Sequence, residues 1–298
     1  MHMVSPKLDS RLWSNPKIIF FHIPKTAGMS LRGLLVRNYR NGPHFNTNIA
    51  GDFSTKSWNE FLERINKMAP EELDRQVVFK GHMFFGLHEV LPGPSWYITF
   101  LRDPVERSIS HYKMLCRLKA SAPAHEIDPS KKDWNMSEAP DFLRCLDNFQ
   151  TRLLAGTDVT LPFGACTEEH LRIAKANMDR HFKFVGLTEQ FDLSLLLLRR
   201  VCGWGWRFYI PDNVAPSTPF QMPAGVPEAI RRLNNLDLEL YRYAQERFDR
   251  QVDAYGWRLK AELRLYRLGN RLHLGLHHWR HKIKRRLGIE RRKAMGTG

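Results

Sequence analysis

The chain contains no apolar run long enough to cross a membrane as a helix. Such a helix needs about 20 predominantly apolar residues, and no uninterrupted stretch of that kind occurs among the 298 residues. The N-terminus also lacks the features of a secretory signal peptide. We therefore expect a soluble, cytoplasmic protein, long enough to bury a full core in one large domain.

Cysteine is scarce as well, with four residues at Cys116, Cys145, Cys166 and Cys202. No pair has C-x-x-C spacing, and no histidine pattern accompanies them as it does in a zinc site. The sequence therefore predicts free buried thiols in a reducing compartment, and no bound metal.

Acidic residues are few relative to basic ones, with 31 Asp and Glu against 46 Lys and Arg and a net charge of +15. The excess is concentrated between Trp257 and Lys293, where thirteen Lys and Arg face two Glu. The rest of the chain is nearly balanced. A basic C-terminal segment indicates an anionic partner but says nothing about the fold.

One stretch, residues 17–39, combines a short strand, a tight turn and a helix. The run Ile18–Phe21 has the length and composition of a buried strand. Lys25 and Thr26 follow in the turn, and Ser30 lies at the start of the predicted helix. Free N–H groups at a helix N-terminus attract anions, and these side chains add a positive charge and two hydroxyls. The stretch predicts a phosphate-binding loop, although an ordinary strand-to-helix turn can also contain Lys and Thr.

A second stretch repeats this arrangement after another apolar run, Trp96–Leu101. Asp103 is a good N-cap residue, so a helix is expected directly after the strand. Arg102 leaves the carboxyl end of the strand, and Ser110 lies one to two turns into the helix. A guanidinium and a hydroxyl beside a helix N-terminus predict a second phosphate site. An ion pair of Arg102 with Asp103 that only caps the helix is the alternative.

Strands and helices alternate along the chain, which predicts an α/β fold with a P-loop-like, mostly parallel sheet flanked by helices. Residues 40–55 are predicted as a loop, a capping box at Ser57 is predicted to start a helix, and residues 70–75 are predicted as a connector. We expect one domain over residues 1–256 and a basic helical extension over residues 257–298.

The segment HIPKTAGMS, residues 22–30, resembles the 5′-phosphosulfate loop of the membrane-associated sulfotransferases, which include the heparan sulfate 2-O- and 6-O-sulfotransferases. The usual form there is HIPKTAGTS, so this chain departs from it at Met29. Segment 101–110 is similar to the 3′-phosphate-binding motif of the same enzymes. The resemblance implies a sulfotransferase that uses 3′-phosphoadenosine 5′-phosphosulfate as donor and needs no metal. It implies that the donor is bound by Lys25, Thr26, Ala27, Gly28, Ser30, Arg102 and Ser110.

Catalytic roles follow from the same resemblance. Lys25 is expected to stabilise the charge that develops on the leaving group. A base with a pKa near neutrality favours His, and His82 lies in a Gly-His segment similar to the one that carries the proposed base of the 2-O-sulfotransferases. A buried structural role for His82 is the alternative, with His88 and Glu106 as the other candidate bases. Arg152 is expected in a solvated or capping role, with a position facing the acceptor as the alternative.

The acceptor is expected to be a hydroxyl group of a glycan, a lipid or a metabolite. Golgi enzymes of the resembling group carry an N-terminal anchor, so a Golgi-lumenal protein that has lost its anchor is the alternative to a cytoplasmic one. A nucleotide kinase or triphosphatase would need a lysine after a second glycine, whereas Lys25 precedes the only glycine of its loop. A non-catalytic protein that binds nucleic acid or membranes through its basic segment is the other rival, although no nucleic-acid partner is expected.

The basic C-terminal segment has its own periodicity. Apolar residues recur at steps of three and four, which predicts one apolar stripe on a basic helix, at Leu265, Leu268, Leu272, Leu276, Trp279, Ile283 and Leu287. This stripe is expected to pack on the catalytic domain or on a second copy of the chain, as in a homo-oligomer. The alternative is a helix that lies on an anionic membrane surface.

Overall fold

The structure is a computed structural model, and it describes residues 16–40, 42–47, 55–119, 146–156, 161–211 and 226–286. Two short 3₁₀ turns, Leu87–Glu89 and Thr188–Gln190, accompany the helices and strands. The elements in chain order are β1 Lys17–Phe21, α1 Gly28–Asn38, β2 His44–Asn46, α2 Thr55–Asn66, α3 Pro70–Arg75, β3 Val78–Gly81, β4 Ser95–Leu101, α4 Pro104–Lys119, α5 Phe149–Ala155, α6 Glu168–His181, β5 Phe182–Leu187, α7 Phe191–Cys202, α8 Val226–Leu233 and α9 Asn235–Arg286.

The five strands form one sheet in the order β2-β3-β1-β4-β5, and every neighbouring pair is parallel. All five residues of β1 are buried, as are the last five of β4. Strands buried on both faces are typical of a sheet that helices cover on each side. The predicted α/β fold with a parallel sheet flanked by helices is confirmed.

Three local predictions are wrong. Residues 40–55 contain the edge strand β2, whose three residues are too few to show a strand period. Residues 70–75 form α3 and are not a simple connector. Pro70 at its N-terminus, acidic residues in its first turn and Arg75 in its last turn are helix signals in a segment of only six residues. Helix α2 begins at Thr55, so Ser57 lies inside it.

The last helix, α9, is the longest element, and it bends at Gly256. This glycine has φ 59° and ψ −149°, a conformation open almost only to glycine. The bend coincides with the boundary predicted between the main domain and the extension, and separate folding of the two parts stays a prediction. No helix within the described ranges is long and apolar enough for a membrane crossing. Cys166 and Cys202 are free thiols, and Cys145 lies outside the described residues.

Candidate active site

Three neighbouring strands end at the edge of the sheet where the predicted site residues lie. β1 is flanked by β3 and β4, and Phe21 at its end is in register with Gly81. His22, His82 and Arg102 each follow directly after one of these strands. Ligands of open α/β sheets bind at the carboxyl ends of the strands. This edge is therefore the candidate site.

The loop between β1 and α1 has an unusual backbone. Lys25 has φ 73° and Ala27 has φ 60°, and the left-handed region costs a residue with a side chain roughly 1–2 kcal/mol. Strain of this kind is concentrated at ligand-binding sites. Left-handed residues let successive N–H groups point into one concavity, which suits an anion. A hydrogen bond within the loop stabilises it, since the hydroxyl of Thr26 donates to the Ile23 carbonyl at 2.8 Å.

Gly28 is required at the start of α1 by the ring of His22. A Cβ atom at this position would lie 1.9 Å from His22 Nε2, which is far inside van der Waals contact. The His22 ring also stacks on Phe20 and on His82, with centroids 5.4 Å and 4.6 Å apart. His22 thus connects the anion loop to the candidate base. The sequence predicts a structural core position for His22 and gives no sign of this connection.

The orientation of His82 is set by a backbone carbonyl. His82 Nδ1 lies 3.0 Å from the carbonyl oxygen of His22. Because a carbonyl only accepts, Nδ1 must carry the proton, and the neutral ring has its lone pair on Nε2. Burial lowers the pKa of His82 below its usual value, and the bond to His22 opposes this shift without cancelling it. The site therefore favours a neutral imidazole, the form that can accept a proton.

Arg102 links the two predicted anion sites. Its Nη1 donates to the carbonyl oxygen of Lys25 at 3.3 Å, so the guanidinium reaches across from β4 to the first loop. Its Nη2 lies 3.7 Å from Glu106 Oε2. Asp103 caps α4 by accepting from the backbone N–H of Glu106 at 2.9 Å, as predicted. The ion-pair partner of Arg102 among the described residues is therefore Glu106, and the alternative of an Arg102–Asp103 pair is wrong.

Gln150 holds the backbone of Arg102 in place, and a pair of residues far apart in the sequence positions the helix that carries Gln150. Gln150 accepts from the Arg102 N–H at 3.1 Å and donates to its carbonyl at 2.9 Å. The Gln150 N–H itself donates to Asp237 at 3.0 Å, while Asn148 accepts from the N–H of Asp237 at 3.1 Å. Asn148 and Asp237 thus cap each other's helices. Sequence reasoning missed this support, because residues almost 90 positions apart share no local pattern.

Helix α4 contributes the other wall of the site. Lys25 Nζ lies 3.7 Å from Met114 Sδ on α4. Ser110 is four residues before Met114, hence on the same face of that helix. Ser30 is buried in the first turn of α1. The structure thus gathers the predicted donor-binding residues and His82 around the ends of β1, β3 and β4.

The two other candidate bases lie in different places. His88 Nδ1 is 3.1 Å from the hydroxyl of Tyr97, a residue near the start of β4 and five positions before Arg102. At about 3.3 Å per residue along a strand, His88 lies well away from the carboxyl edge. Glu106 is exposed beside Arg102, at the edge itself.

Arg152 does not have the solvated role expected of it. It is 1% exposed and donates to the carbonyls of Leu161 and Pro162 at 2.7 Å and 3.0 Å. Its guanidinium also pairs with Asp147. Arg152 therefore fixes the chain segment after α5, and the expectation of solvent exposure is wrong. No group of three or more His, Cys, Asp or Glu suited to a metal occurs in the described part of the chain.

Known proteins resemble this chain over most of its length. The family model described as galactose-3-O-sulfotransferase matches residues 3–276. The human heparan-sulfate 6-O-sulfotransferase 2 is 27% identical over 293 residues, which are 81% of this chain and 46% of that protein. The human heparan-sulfate 6-O-sulfotransferase 1 is 25% identical over 315 residues, with 90% of this chain and 73% of that protein covered. The chain thus spans about half the length of the first of these relatives.

A solved structure of a sulfotransferase from Alicyclobacillus acidocaldarius also matches, with a TM-score of 0.40 and 15% identity. The match covers 76% of this chain and 94% of that one. A likeness at this level carries no argument about the site.

Proposed function

The chain belongs to the galactose-3-O-sulfotransferase family, and on this premise we propose that it transfers a sulfuryl group from 3′-phosphoadenosine 5′-phosphosulfate to a hydroxyl of a glycan. The observation that carries the proposal is the contact between Arg102 Nη1 and the Lys25 carbonyl. It brings the two predicted anion-binding segments next to each other.

The donor requires two such segments because it is phosphorylated at both ends of its ribose. In the proposed complex, the strained loop of residues 25–28 and Ser30 hold the 5′-phosphosulfate, and Arg102 and Ser110 hold the 3′-phosphate. Arginine suits the second role because its planar fork can bind a phosphate with two hydrogen bonds. The hydrogen bonds with Gln150 already fix the backbone of Arg102. Binding of the donor therefore costs little backbone entropy at this residue.

The proposed reaction is an in-line displacement at sulfur. The acceptor oxygen forms a new bond to sulfur while the bond from sulfur to the bridging oxygen breaks. The hydroxyl proton passes to Nε2 of His82, whose tautomer is set by the His22 carbonyl. Lys25 neutralises the negative charge that develops on the leaving phosphate oxygen. A lowered pKa keeps His82 neutral before the reaction, as a general base must be.

The nature of the acceptor is supported by the names of the relatives. The family model is named for a galactose hydroxyl and the curated relatives for the 6-hydroxyl of heparan sulfate. Both are alcohol groups of a sugar, one secondary and one primary. We therefore assign a glycan as the acceptor class, with the position of sulfation left to the experiment.

Transfer of radiolabelled sulfate from the donor tests the proposal. The acceptors are desulfated heparan-type chains, galactose-terminated oligosaccharides and a lipid extract. Label should enter at least one glycan, and Arg102→Ala should lose most of this activity. Arg172→Ala is the matched control, because Arg172 pairs with Glu169 on an exposed helix surface. Label that enters only the lipids, or equal activity of the two variants, would contradict the proposal.

A further inference from the structure

The segment of α9 beyond the bend packs on the body of the protein through one defined face. Leu259 is 0% exposed, Tyr266 2% and Asn270 6%. Gly269 lies on the same side, where an added Cβ would be 2.4 Å from the ring of Phe208. The sequence predicts that Gly269 and Gly275 interrupt this helix, but α9 continues through both, so that prediction is wrong. The missing side chain at Gly269 is what allows the helix to approach the body closely.

Polar contacts fix the rotation of this segment about its own axis. The carboxylate of Glu262 pairs with both Arg199 and Arg200 on α7. Asn270 accepts from the backbone N–H of Tyr209 at 2.9 Å, and Tyr266 donates to the carbonyl of Arg207 at 3.0 Å. With these contacts in place, the face opposite the body has a fixed direction.

That opposite face is apolar and open to solvent. Five residues of the predicted stripe are more than half exposed, so the prediction that this stripe packs on the catalytic domain is wrong. Ile283, which belongs to the same predicted stripe, is partly buried. Exposed apolar patches of this extent usually mark an interaction site. The exposed fractions are 66% for Leu265, 53% for Leu268, 63% for Leu272, 58% for Leu276 and 60% for Trp279, with Trp257 at 75%. Leu287 lies outside the described residues.

The flank of this apolar face is basic. Lys260, Arg264, Arg271 and Lys282 are all exposed, at positions between the apolar face and the packed face. Between residues 257 and 286 the sole acidic residue is Glu262, and its charge is already paired with Arg199 and Arg200. The solvent side of the helix therefore combines an apolar stripe with unbalanced positive charge.

We propose that this face docks on an anionic lipid membrane, with the helix in the plane of the interface. Apolar side chains then reach the acyl boundary and the basic flank lies among the headgroups. Trp257 and Trp279 stand near the two ends of the stripe, and tryptophan favours the interface region. A second copy of the chain is the poorer occupant, because two such helices would bring their basic flanks together without acidic partners.

Co-sedimentation of the full chain with vesicles tests this proposal. The vesicles contain phosphatidylcholine alone, or phosphatidylcholine with about 30% phosphatidylserine, a typical anionic lipid of membrane surfaces. Binding should require the anionic lipid and should weaken as salt rises from about 50 mM to about 500 mM, because salt screens exposed charges. Binding that ignores headgroup charge and salt would overturn the proposal, as would no sedimentation with either vesicle.

A single substitution tests whether vesicle binding depends on the apolar face of α9 or is nonspecific adsorption. Leu272→Asp should lower the partition coefficient roughly tenfold or more, because it removes an inserted side chain and adds a charge of the wrong sign. Val36→Asp is the matched control, since Val36 is a 42% exposed apolar residue on a different helix, α1. Circular dichroism and thermal melting establish that both variants are folded. Equal partitioning of the two variants would show that the face is not used.

Two further measurements complete the test. Light scattering shows whether the chain is a dimer, and a dimer that Leu272→Asp dissociates, without vesicle binding, would assign the face to a second copy instead. Sulfate transfer to a soluble glycan should be unchanged in Leu272→Asp. The membrane proposal and the proposed function can therefore fail separately.

Discussion

The backbone carbonyl of His22 holds the proton of His82 on Nδ1. The two residues follow directly after neighbouring parallel strands, so the register of the sheet itself decides which nitrogen of His82 can act as a base. The two rings also stack with their centroids 4.6 Å apart, so the plane of the His82 ring is fixed as well as its tautomer. A residue without a ligand role thereby sets the chemical state of the candidate base.

Replacement of His82 by Ala should separate chemistry from binding. The turnover number should fall by roughly two to four orders of magnitude, the usual contribution of a general base, while the affinity for adenosine 3′,5′-bisphosphate stays nearly constant. Initial rates of sulfate transfer and calorimetric titration measure the two quantities. His88→Ala is the control and should keep its turnover. If His82→Ala turns over like the wild type, Glu106 is the next candidate base.

The two-phosphate interpretation predicts a nucleotide preference. At a hundredfold excess over Kd, adenosine 3′,5′-bisphosphate should stabilise the fold by about 2.7 kcal/mol, which raises Tm by several degrees. Adenosine 5′-monophosphate should raise it much less, because Arg102 and Ser110 then have no phosphate to bind. Arg102→Ala should remove the difference between the nucleotides. Equal shifts with the wild-type chain would contradict a second phosphate site.

Two glycines in the same helix should respond in opposite ways to alanine. Gly28→Ala forces a Cβ onto the His22 ring and should cost about 1–3 kcal/mol, the usual range for overpacking. Gly33 has no atom within 4 Å of an added Cβ, so Gly33→Ala should gain about 0.5–1 kcal/mol from helix propensity. Urea unfolding measures both. A combined His22→Ala and Gly28→Ala variant should regain part of the loss, and no such recovery would mean that another contact is responsible.

The free energy of unfolding should decrease as pH is lowered, because buried histidines resist protonation in the folded state. Burial, with help from the positive charges of Arg107 and Lys25, lowers the pKa of His111 to about 3, and neither ring nitrogen has a hydrogen-bond partner among the described residues. The unfolded chain therefore binds more protons than the folded one between about pH 6.5 and pH 3. Folding loses about 1.4 kcal/mol per pH unit in this window for each such group, and the loss grows as pH falls.

His111→Leu should remove one of these contributions. Its unfolding free energy between about pH 7 and pH 5 should fall less steeply than that of the wild type. His22, whose pKa burial also lowers to about 3, remains in the variant and keeps a residual slope. Urea unfolding at several pH values gives the two slopes, and parallel profiles would mean that His111 is not the buried group that titrates.

The parts of the fold that could be predicted are those encoded in local runs. The strands β1 and β4, of five and seven residues, contain the largely apolar runs Ile18–Phe21 and Trp96–Leu101, and β4 leads into a helix that Asp103 caps. The approximate positions of Lys25 and Arg102 followed from this, because parallel strands end at a common edge. β2 and α3 were missed because three and six residues are too short to establish a period.

Long-range relationships could not be predicted in the same way. The mutual capping of Asn148 and Asp237, which supports Arg102 through Gln150, joins residues 89 positions apart. The C-terminal stripe shows a different limit. Periodicity identified the apolar face of the helix, but the packed face contains Gly269 and Asn270, which no hydropathy pattern would select.

The bend at Gly256 affects how the protein would be oriented on a membrane surface. A straight continuation of α9 would carry the thirty residues 257–286 about 45 Å away from the body. The bend folds them back along α7 instead, and so sets the angle between the active-site edge and the tryptophan-bearing helix. A Cβ at position 256 would meet no neighbouring atom, so the glycine is needed for its backbone conformation alone. Through that conformation it orients residues 257–286 relative to the candidate site.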